Sequence, residues 1–195
     1  MARQSSLLRE TYELEFTLRE IEPRIWRRVA VRNNHSLAVL HDIIQNVMGW
    51  KDCHLHEFEI DGQVYTARYP ELEHWEERKV RNERRAYLRD VLSGKGSRFS
   101  YLYDQGDYWQ HDIAVVKVSQ VKTPEELERY PLCLAGERAC PPEDVGGSSG
   151  YAEMLEALSD PAHEEHESYI DWLGHPFDPE FFDMKAVNSL LRSIR

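Results

Sequence analysis

The first part of the chain alternates between apolar and polar side chains. Within residues 11–20 every second position from Tyr12 to Leu18 is apolar, and residues 25–32 alternate again after Pro23, with Arg27 in the same series as Ile25, Val29 and Val31. A period of two with one apolar side is typical of a half-buried β-strand. Two such segments around a proline turn predict an antiparallel pair.

A helical pattern follows at residues 37–48, where apolar residues recur every three or four positions. Ser36 is typical of an N-cap residue, and Gly49 is typical of a helix end. His41 falls on the apolar side of this helix. There we expect a histidine at the edge of the core, with a hydrogen-bond partner.

The middle of the chain returns to strand patterns. Strands are predicted at residues 54–60, 64–66, 97–104 and 108–119, and the dipeptides Asp61-Gly62 and Gln105-Gly106 are typical of tight turns. Residues 68–90 show no clear period and are predicted to form a loop with one irregular helix.

Residues 130–151 separate the predicted strands from the predicted helices. Their prolines and glycines argue against any regular element, yet several of their residues are small or apolar and would pack. A long irregular segment with its own packing residues is typical of a functional loop. We therefore expect a site in this loop.

The C-terminal part has three helical patterns. They cover residues 150–158, residues 161–173 with Asp160 as the cap, and residues 179–194 with Asp178 as the cap. Strands followed by helices predict an α+β fold. We expect one domain over residues 1–195, strand-rich at 10–120, irregular at 130–151 and helical at 150–195. Its curved, mainly antiparallel sheet should have helices on one face.

Composition restricts the compartment. The 195 residues are 41% hydrophobic, and no apolar stretch approaches the roughly 18 residues of a membrane span. The first residues lack the apolar run of a secretory signal. Three cysteines cannot all pair within one chain, so reduced thiols are expected. We therefore expect a cytoplasmic protein with no membrane partner.

The net charge of −11 is unevenly distributed. Residues 120–183 contain 16 acidic residues and 3 Lys or Arg residues, and such a segment repels nucleic acid. One basic cluster is present, interleaved with glutamates, and consists of Arg78, Lys79, Arg81, Arg84, Arg85 and Arg89. This pattern favours a solvated surface, and we expect no nucleic-acid partner.

Three histidines, His54, His56 and His111, are candidate ligands of a divalent metal. Residues two apart on a strand project to the same side, and Asp104 and Asp107 are expected near His111 in the adjoining turn. Imidazole and carboxylate groups are common metal ligands. The alternative is a polar patch at one end of the sheet. Cys133 and Cys140 lie too far apart for a zinc knuckle, which favours buried thiols.

The acids of the loop form a second hypothesis. Pro141 and Pro142 stiffen the approach to Glu143 and Asp144, and glycines follow, so the two carboxylates would be aimed at a fixed place. We predict that one of them approaches the three histidines. The alternative is that both acids accept hydrogen bonds from the next turn or cap the following helix.

Ten short blocks, taken together, resemble the plasmid pRiA4b open-reading-frame-three-like family. In order they are PRIWRR at 23–28, LH at 40–41, MGW at 48–50, HLHEF at 54–58, YDQGDYWQH at 103–111, GERACPPED at 136–144, GG at 146–147, GY at 150–151, FDP at 177–179 and Phe181.

The resemblance implies an α+β domain of prokaryotic plasmids, transposons and chromosomes. Some relatives are labelled resolvase-like passenger proteins of insertion elements. The resemblance implies no activity. Relatives often have Phe at position 105 and Cys at position 145, where this chain has Gln105 and Val145.

We expect a ligand- or partner-binding module, for a small molecule or a protein. Its pocket would be formed by the Pro-Pro-Glu-Asp loop with Trp26, Trp50, His54, His56, Asp104, Asp107 and Trp109. One alternative is a metal-dependent or acid–base enzyme, with Glu143, Asp144 and His111 as candidate catalytic residues. A further alternative is an accessory protein of DNA recombination.

Overall fold

One open sheet carries the described part of the chain, residues 10–67 and 80–194 of a computed structural model. Its eight strands are β1 (Glu10–Leu18), β2 (Trp26–Arg32), β3 (His56–Ile60), β4 (Gln63–Thr66), β5 (Arg81–Asn82), β6 (Arg98–Tyr103), β7 (Trp109–Gln120) and β8 (Leu132–Glu137). Their order is β5-β4-β3-β6-β7-β1-β2-β8. All neighbours are antiparallel except β4 and β5, which confirms a mainly antiparallel sheet.

Six helices complete the α+β fold in the described residues. They are α1 (Leu37–Met48), α2 (Leu88–Val91), α3 (Pro124–Leu127), α4 (Gly147–Ser159), α5 (His166–Leu173) and α6 (Met184–Leu191). The last three form the expected C-terminal helical segment. Among the described residues, no helix combines the length and the apolar character that a membrane crossing needs.

The alternation in the first two strands has the expected structural consequence. Leu14 and Phe16 of β1 are fully buried, whereas Glu13 and Glu15 between them are partly exposed. The pairing register shifts once between β1 and β7 and once between β2 and β8. Such bulges bend a strand and increase its local twist.

Helix α1 begins and ends where the sequence predicts. The side chain of Ser36 accepts a hydrogen bond from the backbone N–H of Val39, and Gly49 takes the left-handed conformation with φ 86°. The buried side of the helix belongs to the same core as Leu14 and Phe16. The helix therefore covers the apolar face of the central strands.

The expectation that residues 130–151 contain no regular element is wrong, because β8 lies within them. Pro131 comes just before the strand, so its missing N–H removes no bond from the ladder. The exposed edge of β8 is covered by Asn188, whose amide bonds both the N–H and the C=O of Cys133. Gly136 is required here, because a Cβ would come within 2.7 Å of the Arg27 side chain.

Two of the C-terminal helices begin later than predicted. The second begins at His166, because Asp160 bonds the N–H of Ala162 and closes a local turn without starting the helix. The third begins at Met184, and its N-cap is Asp183. Short aspartate turns compete with helix initiation in this way.

Part of the predicted irregular loop, residues 68–79, lies outside the described residues. At 80–91 the structure has β5, a short 3₁₀ helix and α2.

Arg27 of β2 is 2% exposed and connects three parts of the fold. Its Nε donates to the carbonyl of Val47, in the last turn of α1. Its Nη1 donates to the carbonyls of Trp26 and Glu137, and its Nη2 donates to the carbonyl of Arg138 and to Cys140 Sγ. One guanidinium thus holds the helix end, the end of β8 and the start of the Pro-Pro-Glu-Asp loop.

We predict that Arg27→Met lowers the free energy of unfolding by at least about 3 kcal/mol, because several buried carbonyls lose their donor. The matched control is Arg28→Met on the next position of β2. Arg28 is partly exposed and pairs with Glu15, so its loss should cost less than about 1 kcal/mol. Urea unfolding of the three proteins measures both values. Equal losses for the two variants would show that Arg27 has no special role.

Candidate functional site

His54 lies at the centre of a cluster of three carboxylates that come from two other parts of the chain. From its Nε2 the distances are 3.1 Å to Asp144 Oδ1, 3.5 Å to Asp104 Oδ2 and 3.9 Å to Glu143 Oε2. We call these four residues the His54 cluster. The predicted approach of the loop acids to the histidines is therefore present, and it is made to His54.

Two of the three carboxylates, those of Asp104 and Glu143, are positioned by hydrogen bonds from the backbone. Asp104 Oδ1 accepts a hydrogen bond from the N–H of Gly106, which leaves Oδ2 facing His54. Glu143 Oε1 accepts from the N–H of Lys51 and from the Tyr103 hydroxyl. The other oxygen of Glu143, Oε2, is buried and has no hydrogen-bond partner.

The backbone of the cluster is itself unusual. Asp104 and Asp144 both have positive φ, 57° and 60°, in the left-handed region. Among side chains with a Cβ, Asp and Asn tolerate this region best. The fold thus maintains two costly backbone conformations that bring carboxylates to one imidazole.

The contact from His54 Nε2 to Asp144 is at hydrogen-bond distance but lacks hydrogen-bond geometry, and the contacts to Asp104 and Glu143 are longer than usual hydrogen bonds. No hydrogen bond forms at His54 Nε2, although it is buried among three carboxylates. Ligands about 2.1 Å from a tetrahedral ion lie about 3.4 Å from one another, close to the separations seen here. An imidazole with carboxylates is a donor set that suits Zn²⁺, Fe²⁺ or Mn²⁺.

A second cluster lies deeper and contains His56. The rings of His41 and His56 are stacked with centroids 3.4 Å apart and 7° between their planes. His56 Nε2 lies 2.7 Å from Glu83 Oε2, and His41 Nε2 lies 2.8 Å from Asp52 Oδ1. The in-plane lone pairs of parallel rings do not converge on one point, so this geometry does not suit a shared metal. We call these four residues the histidine stack.

The expected hydrogen-bonded role of His41 is confirmed. Its Nδ1 lies 2.8 Å from the Tyr101 hydroxyl, which also accepts from the Gln45 amide. Burial, and after it the neighbouring His56, lower the pKa of His41 to about 4. His41 is therefore neutral in the folded protein at neutral pH.

The structure does not bring the predicted histidine trio together. The trio assumed one strand from residue 54, but β3 begins at His56, so His54 stands in the preceding connection and turns to the loop acids. His111 is fully buried between Tyr101 and Trp50, with Nδ1 3.1 Å from the carbonyl oxygen of Trp109. Burial lowers its pKa to about 4. His111 thus lacks the access that an acid–base catalyst needs.

The remaining candidates divide between the site and the scaffold. Trp50 donates its indole N–H to the carbonyl of Pro141 and stacks on Tyr103, at the edge of the cluster. Asp107 accepts from the N–H of Gly146 and so holds the end of the loop. Trp109 is buried next to Trp50. Trp26 bonds Glu137 at the edge of the sheet, away from the other candidates.

A cleft of about 400 Å³ opens beside the His54 cluster. Its lining includes Trp50, Glu143 and Asp144 from the region of the cluster, and Trp172 and Phe177 from the C-terminal part of the chain. The sequence patterns missed Trp172, because an aromatic residue on an amphipathic helix is normally part of the core. In the structure it is 47% exposed. Val145, in contrast, is buried in the core, so position 145 contributes nothing to the cluster.

We predict that the protein loses stability between about pH 6.5 and pH 4, because burial lowers the pKa values of His35, His41 and His111 to about 4. The folded state then binds fewer protons than the unfolded state. The free energy of unfolding should fall by up to about 1.4 kcal/mol per pH unit for each histidine. Urea midpoints at pH 7 and pH 5 test this. The slope should be unchanged in His175→Gln, since His175 is exposed, and a flat profile would contradict the prediction.

Residues 10–186 match the model of the family described as plasmid pRiA4b ORF-3-like protein. A relative described as uncharacterized protein y4hQ, from Sinorhizobium fredii (strain NBRC 101917 / NGR234), is 38% identical over 161 residues, which are 83% of this chain and 79% of that protein. A crystal structure of a protein of unknown function, MM3350 from Methanosarcina mazei Go1, is similar with a TM-score of 0.79 and 40% identity. The match covers 91% of this chain and 97% of the other.

Proposed function

The chain belongs to the plasmid pRiA4b ORF-3-like family, and from the geometry of the His54 cluster we propose that it is a ligand-binding module built around one divalent metal ion. His54, Asp104 and Asp144 supply the ligands, and Glu143 Oε2 stands next to them. The relatives above are uncharacterised, so the proposal depends on the site itself.

One observation carries this proposal. An imidazole nitrogen is surrounded by three carboxylate oxygens within 3.9 Å, yet it makes no hydrogen bond. Three carboxylates held this close repel one another, and a dication between them removes that cost. A plain ion pair with a protonated His54 would be expected to close at least one contact to hydrogen-bond geometry.

The ion would be accessible from the cleft. The Asp144 side chain is 70% exposed, and both loop acids line the cleft. A ligand with an oxygen or nitrogen donor can complete the coordination there, while Trp50 and Trp172 contact its apolar part. This arrangement supports a binding module for a small molecule or for a side chain of a partner protein.

The enzyme and DNA alternatives have less support. His111 lies in the core, and the proposed metal occupies the imidazole of His54, so neither of these two histidines is free for acid–base work. The exposed Arg81, Arg84 and Arg85 lie near Glu83, which bonds His56. We propose that the protein acts in the cytoplasm without a nucleic-acid partner. Its three free cysteines support that location.

We predict that the protein binds one equivalent of Zn²⁺ or Mn²⁺ in isothermal titration calorimetry. Asp144→Asn and His54→Gln each remove a ligand and should weaken binding at least about tenfold, since even lost ligand-supporting contacts cost roughly 10–100-fold. Asp107→Asn is the matched control, because Asp107 bonds Gly146 and not the ion. Unchanged affinity in His54→Gln, or no uptake of metal by the wild-type protein, would refute the metal centre.

A second measurement tests the absence of a nucleic-acid partner. Non-specific DNA affinity arises mainly from released counterions and needs clustered positive charge. We expect no measurable binding to random duplex DNA in fluorescence anisotropy at physiological salt. Micromolar binding with a steep salt dependence, lost in the triple variant Arg81→Gln, Arg84→Gln and Arg85→Gln, would instead support a role in DNA recombination.

A further inference from the structure

The thiol of Cys53 lies beside the proposed metal centre and is not among the ligands named so far. The Sγ of Cys53, a ring nitrogen of His54 and a carboxylate oxygen of Glu143 all lie within 4.8 Å of one another. Cysteine, histidine and glutamate are the three ligand types that zinc prefers. His54 thus belongs to two ligand groups, one of carboxylates and one that includes sulfur.

We propose that Cys53 binds the ion as a thiolate, so that the centre selects Zn²⁺ and similar thiophilic ions over Mn²⁺ and Mg²⁺. This inference rests on the metal centre proposed above and adds the class of ion that it takes. Soft thiolate ligands favour Zn²⁺ and Cu⁺, whereas carboxylates alone suit Mg²⁺ and Mn²⁺.

Tyr103 positions Cys53 and Glu143 together. The backbone N–H of Cys53 donates to the Tyr103 oxygen at 3.1 Å, and the same hydroxyl donates to Glu143 Oε1 at 3.0 Å. Glu143 Oε2 then stays unpaired and available to an ion.

The other two cysteines have positions that exclude this role. Cys133 lies on β8, where burial raises its pKa. Cys140 contacts Arg27 Nη2 and Met48, and burial raises its pKa to about 11. Cys53 is exposed, so an ion from solvent can reach it.

The binding step is balanced without a further reactant. The Cys53 thiol releases its proton to solvent, and the sulfur lone pair forms the metal–sulfur bond. No electron is transferred. Affinity for Zn²⁺ should therefore rise with pH more steeply in the wild-type protein than in a variant without the thiol.

Spectroscopy with Co²⁺ as a zinc substitute tests the proposal. A bound Co²⁺ ion gives visible d–d bands whatever its ligands, and a thiolate ligand adds a sulfur-to-cobalt charge-transfer band in the near ultraviolet. We expect both features in the wild-type protein. In Cys53→Ser the d–d bands should remain and the near-ultraviolet band should disappear, and in His54→Gln both should be lost or strongly weakened.

The outcomes separate the two proposals. Visible bands without the near-ultraviolet band in the wild-type protein would overturn the thiolate and leave the metal centre. A near-ultraviolet band that survives in Cys53→Ser would do the same. Absence of both features would overturn both proposals. As a second measurement, Cys53→Ser should lower Zn²⁺ affinity at least about tenfold and leave Mn²⁺ affinity nearly unchanged. Equal losses for the two ions would overturn the proposed selectivity.

Discussion

The geometry of the site depends on one buried cation. Arg27 has lost its hydration, and it is compensated by backbone carbonyls and one sulfur atom. A buried charge must be satisfied by oriented dipoles, so those carbonyls must come to it. The partner at Val47 lies in the last turn of α1, where a positive charge also meets the negative end of the helix dipole. The end of β8 and the helix end are thereby fixed to each other.

The hydrogen bonds of Arg27 also determine the position of the rest of the Pro-Pro-Glu-Asp loop, through a short series of further contacts. Once Arg138 and Cys140 are held, the carbonyl of Pro141 accepts the Trp50 indole N–H, and Glu143 reaches the N–H of Lys51. The prolines limit the conformations between these points, so little entropy remains to be lost when the acids are fixed. The free energy that gathers the carboxylates at His54 thus comes from packing elsewhere in the fold, as expected for a preorganised site.

Local sequence patterns predicted most of the fold. Of the site, they predicted the position of the loop acids, which depends on the residues next to them in the chain. Helix α1 has its cap, its apolar stripe and its glycine stop in the sequence, and the approach of Glu143 follows from the prolines and glycines around it. The histidines could not be assigned in the same way. Alternation indicates the side to which His56 points, but not that Glu83, 27 residues later, is its partner. Likewise β8 was missed because its pairing with β2 is a long-range contact, which local composition does not show.

The period of two on β6 explains why two histidine clusters of different character occur within the part of the chain that the structure describes. Tyr101 and Tyr103 project to the same side of the strand, and one hydroxyl reaches His41 while the other reaches Glu143. In the histidine stack both ring nitrogens of His41 have partners, and Nε2 of His56 pairs with Glu83, whereas Nδ1 of His56 is buried without a partner. At the His54 cluster the imidazole Nε2 and one carboxylate oxygen are left without partners. An unpaired buried polar atom costs about 1–3 kcal/mol, so a ligand that supplies the missing interaction is favoured. At the His54 cluster the two unpaired atoms lie 3.9 Å apart, close enough for one ion between them to contact both, whereas the parallel rings of the histidine stack offer no such common point.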